Sequence, residues 1–195
     1  MLMPCFRPDQ GFVEGIILGR LFAGYGEIEL QMCRCLIVLE KWDYDGPIRN
    51  VFGERNAETR IKIVKKALRT EYGAAGFRPV MAEVFSDMDY CRKIRNQYAH
   101  CQWGWDNKKN KLFFVNLEDL AKLSPSQKIT KLMANERRLD VPLLSTQEAF
   151  FLYVKESFYH LESAYTGWQA QKKAPKRTSY VFPRPQKVAR PPLHY

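Results

Sequence analysis

The stretch KIRNQYAHCQW, Lys93 to Trp103, places an arginine, an asparagine and one of three histidines in the chain within six positions. Each type does a different job. Histidine is the side chain whose proton comes and goes near neutral pH. Arginine offers a rigid fork of donors to a phosphate or carboxylate, and asparagine can donate and accept at once. Projected on a helix at about 100° per residue, Asn96 and His100 are one turn apart and share a face. Arg95 diverges from His100 and falls on the apolar stripe of Met88, Cys91 and Tyr98. An arginine there needs a counter-anion, because a buried unpaired charge costs several kcal/mol. Asp87, Asp89, Glu27 and Glu29 are the carboxylates within the neighbouring helical segments that could serve; a phosphate or a second subunit could serve instead. The bland alternative is an ordinary helix end: an internal ion pair for Arg95, a chain contact for Asn96, and His100 as terminator.

Arg95-Asn96-Gln97-Tyr98-Ala99-His100 resembles the R-N-x-x-x-H motif of HEPN domains, with Tyr98 and Ala99 as typical spacer residues. The resemblance implies an all-α bundle and a homodimer whose two motif helices form one cleft. It also implies a metal-independent ribonuclease in which Arg95, Asn96 and His100 are catalytic and Tyr98 supports them. A toxin or defence role, with an antitoxin partner, belongs to the same implication; so does the alternative of a non-catalytic module that binds nucleotide, RNA or protein. In family members regulated through a tyrosine two positions after the histidine, that tyrosine is modified. Here Gln102 stands in its place.

Positioning these residues requires a motif helix from about Pro79 to about His100, proline being favourable at a first helical position. Val84, Met88, Cys91, Ile94 and Tyr98 form its inward stripe. Upstream, GEIELQMCRCLIVLEKW carries Ile28, Met32, Cys35, Leu36 and Leu39 at helical spacing, and Gly24 and Gly26 suggest a break from a preceding helix over GFVEGIILGRLF. AETRIKIVKKALRTEYG repeats the pattern with Ile61, Val64, Leu68 and Tyr72. Its opposite face is Lys62, Lys65, Lys66 and Arg69, a run that ordinarily is just solvated, and Gly73 offers a stop.

After the motif, QWGWDNKKNKLFFV reads as a hairpin over about residues 102–116. Trp103 and Trp105 on it could stack bases, or cover an open end of the bundle. Asn116 suits the cap of a short helix, and residues 124–144 carry no assignable pattern. STQEAFFLYVKESFYHLESAYTGWQA opens with a capping box, Ser145 to Glu148, and continues as the last helix. The expected fold is mainly α: an up-down bundle of four to five helices over residues 1–171 with a hairpin insertion after the motif helix.

Composition is that of a globular chain, 46% hydrophobic and 13% aromatic. No stretch has the roughly 18 apolar residues of a membrane span, and the first residues lack the pattern of a secretory signal, so the expected location is cytoplasmic. Cys5, Cys33, Cys35, Cys91 and Cys101 show neither a disulfide framework nor zinc-ligand spacing, so no metal or other cofactor is expected. Of the net charge of +10, seven units lie in residues 172–195, which hold five of eleven prolines and no acid. That segment reads as a flexible basic tail. Its Lys172, Lys173, Lys176 and Arg177 are candidate nucleic-acid contacts, with a solubilising role as the alternative; the folded part keeps only about +3.

Overall fold

The structure, a computed structural model, describes residues 12–106, 111–122, 137–174 and 181–193. Cys5, Lys176, Arg177 and His194 lie outside them. The fold is a mainly α bundle with an antiparallel hairpin after the motif helix. Its elements in chain order are α1 (Phe12–Leu39), α2 (Asp45–Phe52), α3 (Ala57–Ala74), α4 (Arg78–Ala99), β1 (Cys101–Asp106), β2 (Lys111–Asn116), α5 (Leu117–Ala121), β3 (Arg137–Arg138) and α6 (Val141–Lys173). No helix among the described residues is long and apolar enough to cross a membrane.

The two longest helices, α1 and α6, form the spine, and they run parallel. Three ion pairs spaced seven residues apart on each fix the register: Arg20–Glu148, Glu27–Lys155 and Arg34–Glu162. Between them Ile28, Met32, Phe150, Val154, Phe158 and Leu161 exclude water completely. α1 passes through Gly24 and Gly26 without a break. A glycine inside a helix costs about 1 kcal/mol, but at Gly24 the α6 side chain Phe151 comes to 3.7 Å of where a Cβ would stand. Packing on α6 overrides the local preference. α6 starts four residues before the anticipated capping box: Asp140 accepts from the Leu143 N–H at 2.8 Å and Pro142 sits in the first turn. Ser145 is therefore inside the helix, and Glu148 is committed to Arg20 rather than to a cap.

α3 begins at the Asn56 cap, whose Oδ1 accepts from the N–H groups of Glu58 and Thr59, and the turn into α4 is made at Gly76, φ +83°, rather than at Gly73. α4 then runs back along α3 and antiparallel to α6. The hairpin pairs Trp103 with Phe114 and Gly104 with Phe113. A Cβ at Gly104 would stand 2.3 Å from the Phe113 ring, so only glycine admits that ring across the strand pair. Asn116 caps α5 as anticipated, accepting from the Glu118 N–H at 2.8 Å. Of the unassigned segment 124–144, the described part supplies β3, paired with β2, and the start of α6.

The C-terminal segment departs from the flexible tail expected. α6 absorbs Lys172 and Lys173 as its last turn, Lys172 lying 5.2 Å over the Trp168 ring. Residues 181–193 have no regular secondary structure, yet they are strapped along α4 and α6. Arg190 pairs with Asp87, and Arg184 and Lys187 both pair with Glu83. The Tyr90 hydroxyl donates to the Pro191 carbonyl at 2.6 Å, and the Gln147 amide to that of Pro192 at 3.2 Å. The Phe182 carbonyl meets His160 Nδ1 at 2.7 Å. Prolines suit such a strap, since its carbonyls bond to the bundle and need no N–H in return.

Candidate functional site

The final turns of α4, the start of α3 and the middle of α1 enclose a polar depression of about 290 Å³. Arg95, Asn96 and His100 all border it. The helical projection had set Arg95 apart from His100. His100, however, is the residue at which α4 has ended, with φ −117° and ψ 43°, so the per-residue rotation no longer applies. The chain has turned toward β1, and the exposed His100 borders the same depression as the arginine. The turn is held by the backbone: the His100 carbonyl accepts the Leu117 N–H at 2.9 Å.

None of the four carboxylates anticipated for Arg95 is its partner. Asp87 binds Arg190, Asp89 binds Arg92 and Lys93, Glu27 binds Lys155, and Glu29 binds Arg60 through both oxygens. Arg95 instead donates Nη1–H to Asn96 Oδ1 at 3.0 Å and holds its guanidinium 6.0 Å over the Tyr25 ring. Asn96 and Tyr25 orient it without neutralising it, so its charge stays available to an incoming anion. Arg60 cannot do the same. Besides Glu29, it donates to the carbonyls of Glu54 and Arg55, which ties the start of α3 to α1. Arg55 adds further positive charge at the rim, while Arg92 there is held by Asp89.

Tyr98 does not reach the depression. It is buried behind the motif, donating to Gln147 Oε1 at 2.7 Å, and burial pushes its phenol above the usual range. Gln147 in turn donates to Pro192 in the strap, so Tyr98 anchors the motif turn from the core side. Trp103 is half-buried against Tyr98 and Phe114, with ring centroids 6.0 and 5.4 Å away. It lines an apolar depression with Leu18, Phe22 and Leu112, which His100 does not border. The geometry there is that of a cover on the bundle end. Of Trp105 the structure describes the backbone, opposite Leu112 in the hairpin.

Tyr25 is the site residue that the sequence analysis missed. It is only 4% exposed, lines the depression, and its hydroxyl has no hydrogen-bond partner among the described residues. Burial first, then the Glu29 charge, raise its phenol above the ordinary value, so it stays an O–H donor at neutral pH. On an apolar helix stripe a tyrosine reads as core, and nothing in the sequence marks its hydroxyl as unsatisfied. An orphaned buried hydroxyl costs about 1–3 kcal/mol. Tyr25→Phe is therefore expected to leave the melting temperature unchanged or raised, because it removes a buried hydroxyl without a partner among the described residues. A thermal melt checks this; a fall of several degrees would show that the hydroxyl is satisfied in the folded protein.

No family model, curated protein or solved structure matches the chain. The HEPN resemblance therefore rests on the six motif residues alone.

Proposed function

We propose that the chain is a HEPN-like, metal-independent endoribonuclease. One observation supports this reading above others: Arg95, Asn96 and His100 border a single depression in which Arg95 is oriented yet has no carboxylate partner among the described residues. A neutral His100 would accept the proton of a ribose 2′-OH as the 2′-oxygen attacks the adjacent phosphorus. Arg95 would hold the negative charge building on the phosphoryl oxygens, with Asn96 keeping the guanidinium in place. The P–O5′ bond breaks, and the 5′-oxygen takes a proton from an imidazolium, best supplied by His100 of a second copy. The products are a 2′,3′-cyclic phosphate and a 5′-hydroxyl. A homodimer, a cytoplasmic location and a role as a toxin or defence component with an antitoxin partner belong to the same proposal. Gln102 speaks against control by tyrosine modification.

A non-catalytic module that holds a nucleotide, RNA or protein in the same cleft is favoured by one specific feature. Among the described residues the His100 ring has no hydrogen-bond partner to fix its orientation. Incubating the protein with a mixed RNA pool in EDTA, with analysis of fragment ends, separates the two readings. Cyclic-phosphate ends support the nuclease; intact RNA together with saturable binding that Arg95→Ala removes supports the module.

A further inference from the structure

A second depression, of about 370 Å³, lies farther along the same α3–α4 seam, toward the turn at Gly76. Lys62, Lys65, Lys66 and Arg69 of α3 and Arg78 of α4 surround it, and no acid does. Of these five, only Lys62 has an acidic partner among the described residues, Glu58 at 2.6 Å. Elsewhere the bundle is arranged otherwise. On the α1–α6 side cations alternate with carboxylates across each ion pair. In the strap, Arg184, Lys187 and Arg190 are spent on Glu83 and Asp87. Like charges three and four apart on a helix repel, so Lys62, Lys65, Lys66 and Arg69 oppose one another, and among the described residues only Lys62 has a carboxylate, Glu58, to relieve it.

An ion pair links the rims of the two depressions. Glu58 borders the one beside His100, Lys62 borders the other, and the pair joins them one helical turn apart. Together they present nine guanidinium or ammonium groups, of which Arg60, Lys62 and Arg92 are paired with Glu29, Glu58 and Asp89, and six have no carboxylate partner among the described residues. At about 1.5 Å per residue, the α3 cations extend this field by about 10 Å from Lys62 to Arg69.

We infer that the α3–α4 seam, Lys62, Lys65, Lys66, Arg69 and Arg78, binds the sugar-phosphate backbone of unpaired RNA and leads it to Arg95 and His100. The inference rests on the proposed nuclease reading for its choice of RNA. The strand is unpaired because in-line attack by a 2′-oxygen requires a sugar-phosphate link free to rotate. Long flexible lysines over a groove read phosphate spacing and no base edge, so the seam contributes affinity without sequence preference.

The test uses the full chain carrying His100→Ala, so that RNA stays intact, and a fluorescein-labelled unpaired RNA oligonucleotide titrated between 50 and 200 mM salt. Lys65→Glu/Arg69→Glu is compared with Lys172→Glu/Lys173→Glu, the same charge change at the end of α6. All four positions are exposed, and Lys65→Gln/Arg69→Gln guards against a folding defect, with circular dichroism on every variant. The seam reversal should weaken binding at least about tenfold and flatten the salt slope by about 1.4, two contacts at about 0.7 each, while the α6 pair changes it less than about threefold. Equal losses from both pairs, no loss from the seam pair, or tighter binding to polyglutamate than to RNA would overturn the inference. The nuclease reading fails separately. Seam-dependent binding by a wild type that never cuts leaves the seam standing, and undiminished cutting by Lys65→Glu/Arg69→Glu in the wild-type background leaves the nuclease standing without it.

Discussion

Replacing His100 with alanine is expected to lower RNA cleavage by about 100- to 10,000-fold, the usual contribution of a positioned acid–base group, with the fold intact. The intact fold follows from what the ring does not do. His100 is exposed, its side chain has no partner among the described residues, and its helix-ending role is performed by the carbonyl that receives Leu117 N–H. Its φ of −117° is open to any residue, so alanine can take the same turn. A surface substitution of this kind moves stability by no more than about 0.5 kcal/mol. The measurement is single-turnover cleavage of labelled RNA beside a thermal melt. Cleavage that persists in His100→Ala would remove the mechanism, whatever the dimer does.

The same variant tests whether one chain or two build the site. Arg95 and His100 border one depression within a single chain, yet the proposed proton donor is a second His100. Mixing His100→Ala with wild type lowers activity below the wild-type share of chains if the two histidines act across an interface. It lowers activity only in proportion to that share if each chain works alone.

Much of this site was legible because helical periodicity is local. The stripe Val84, Met88, Cys91, Ile94 and Tyr98 placed α4 to within a residue at each end, and with it the motif. What periodicity does not contain is where a chain goes once the helix stops. The expected separation of Arg95 from His100 assumed that rotation continued to residue 100, and the turn into β1 cancelled it. Long-range ion pairing was equally hidden. Glu29 stands near the motif in space, but Arg60 reaches it first, from a helix that follows α2, an eight-residue element shorter than the window over which periodicity identifies a helix. Gly24 in α1 and the serine in α6 misled for one common reason: each local signal was outweighed by contact between the two parallel helices. Tyr25 was invisible because being unsatisfied is a property of surroundings and not of residue type.

Deleting residues 181–195 is expected to cost about 2–4 kcal/mol of stability, a fall in melting temperature of about 5–10 °C for a chain of this size. Composition alone argued the opposite, since a segment rich in proline and lysine ordinarily buries too little to fold. The cost arises at Asp87, whose side chain is 6% exposed and whose partner is Arg190. Removing one member of a buried pair costs about 3–5 kcal/mol. The loss here is discounted because the Arg190 side chain is 44% exposed and because water reaches Asp87 once the strap is gone. The hydrogen bonds that Tyr90 and Gln147 make to the strap add about 1 kcal/mol each, less what water returns. Glu83 contributes a pH dependence. Its carboxyl is held below the ordinary value by the hydrogen bond from Lys187, so its share is present above the usual carboxylate pKa and fades as pH falls through the lowered one. The gap between full-length and truncated melting temperatures should therefore narrow in acid. Turnover should fall as well, because the strap holds Gln147, Gln147 holds Tyr98, and Tyr98 braces the turn that carries His100. RNA affinity should fall far less than for the seam variants, since the strap's described cations are already neutralised within the fold. Identical melting curves for the two lengths would show that the strap does not dock, and a large loss of affinity without a loss of stability would return the segment to the role of a free basic arm.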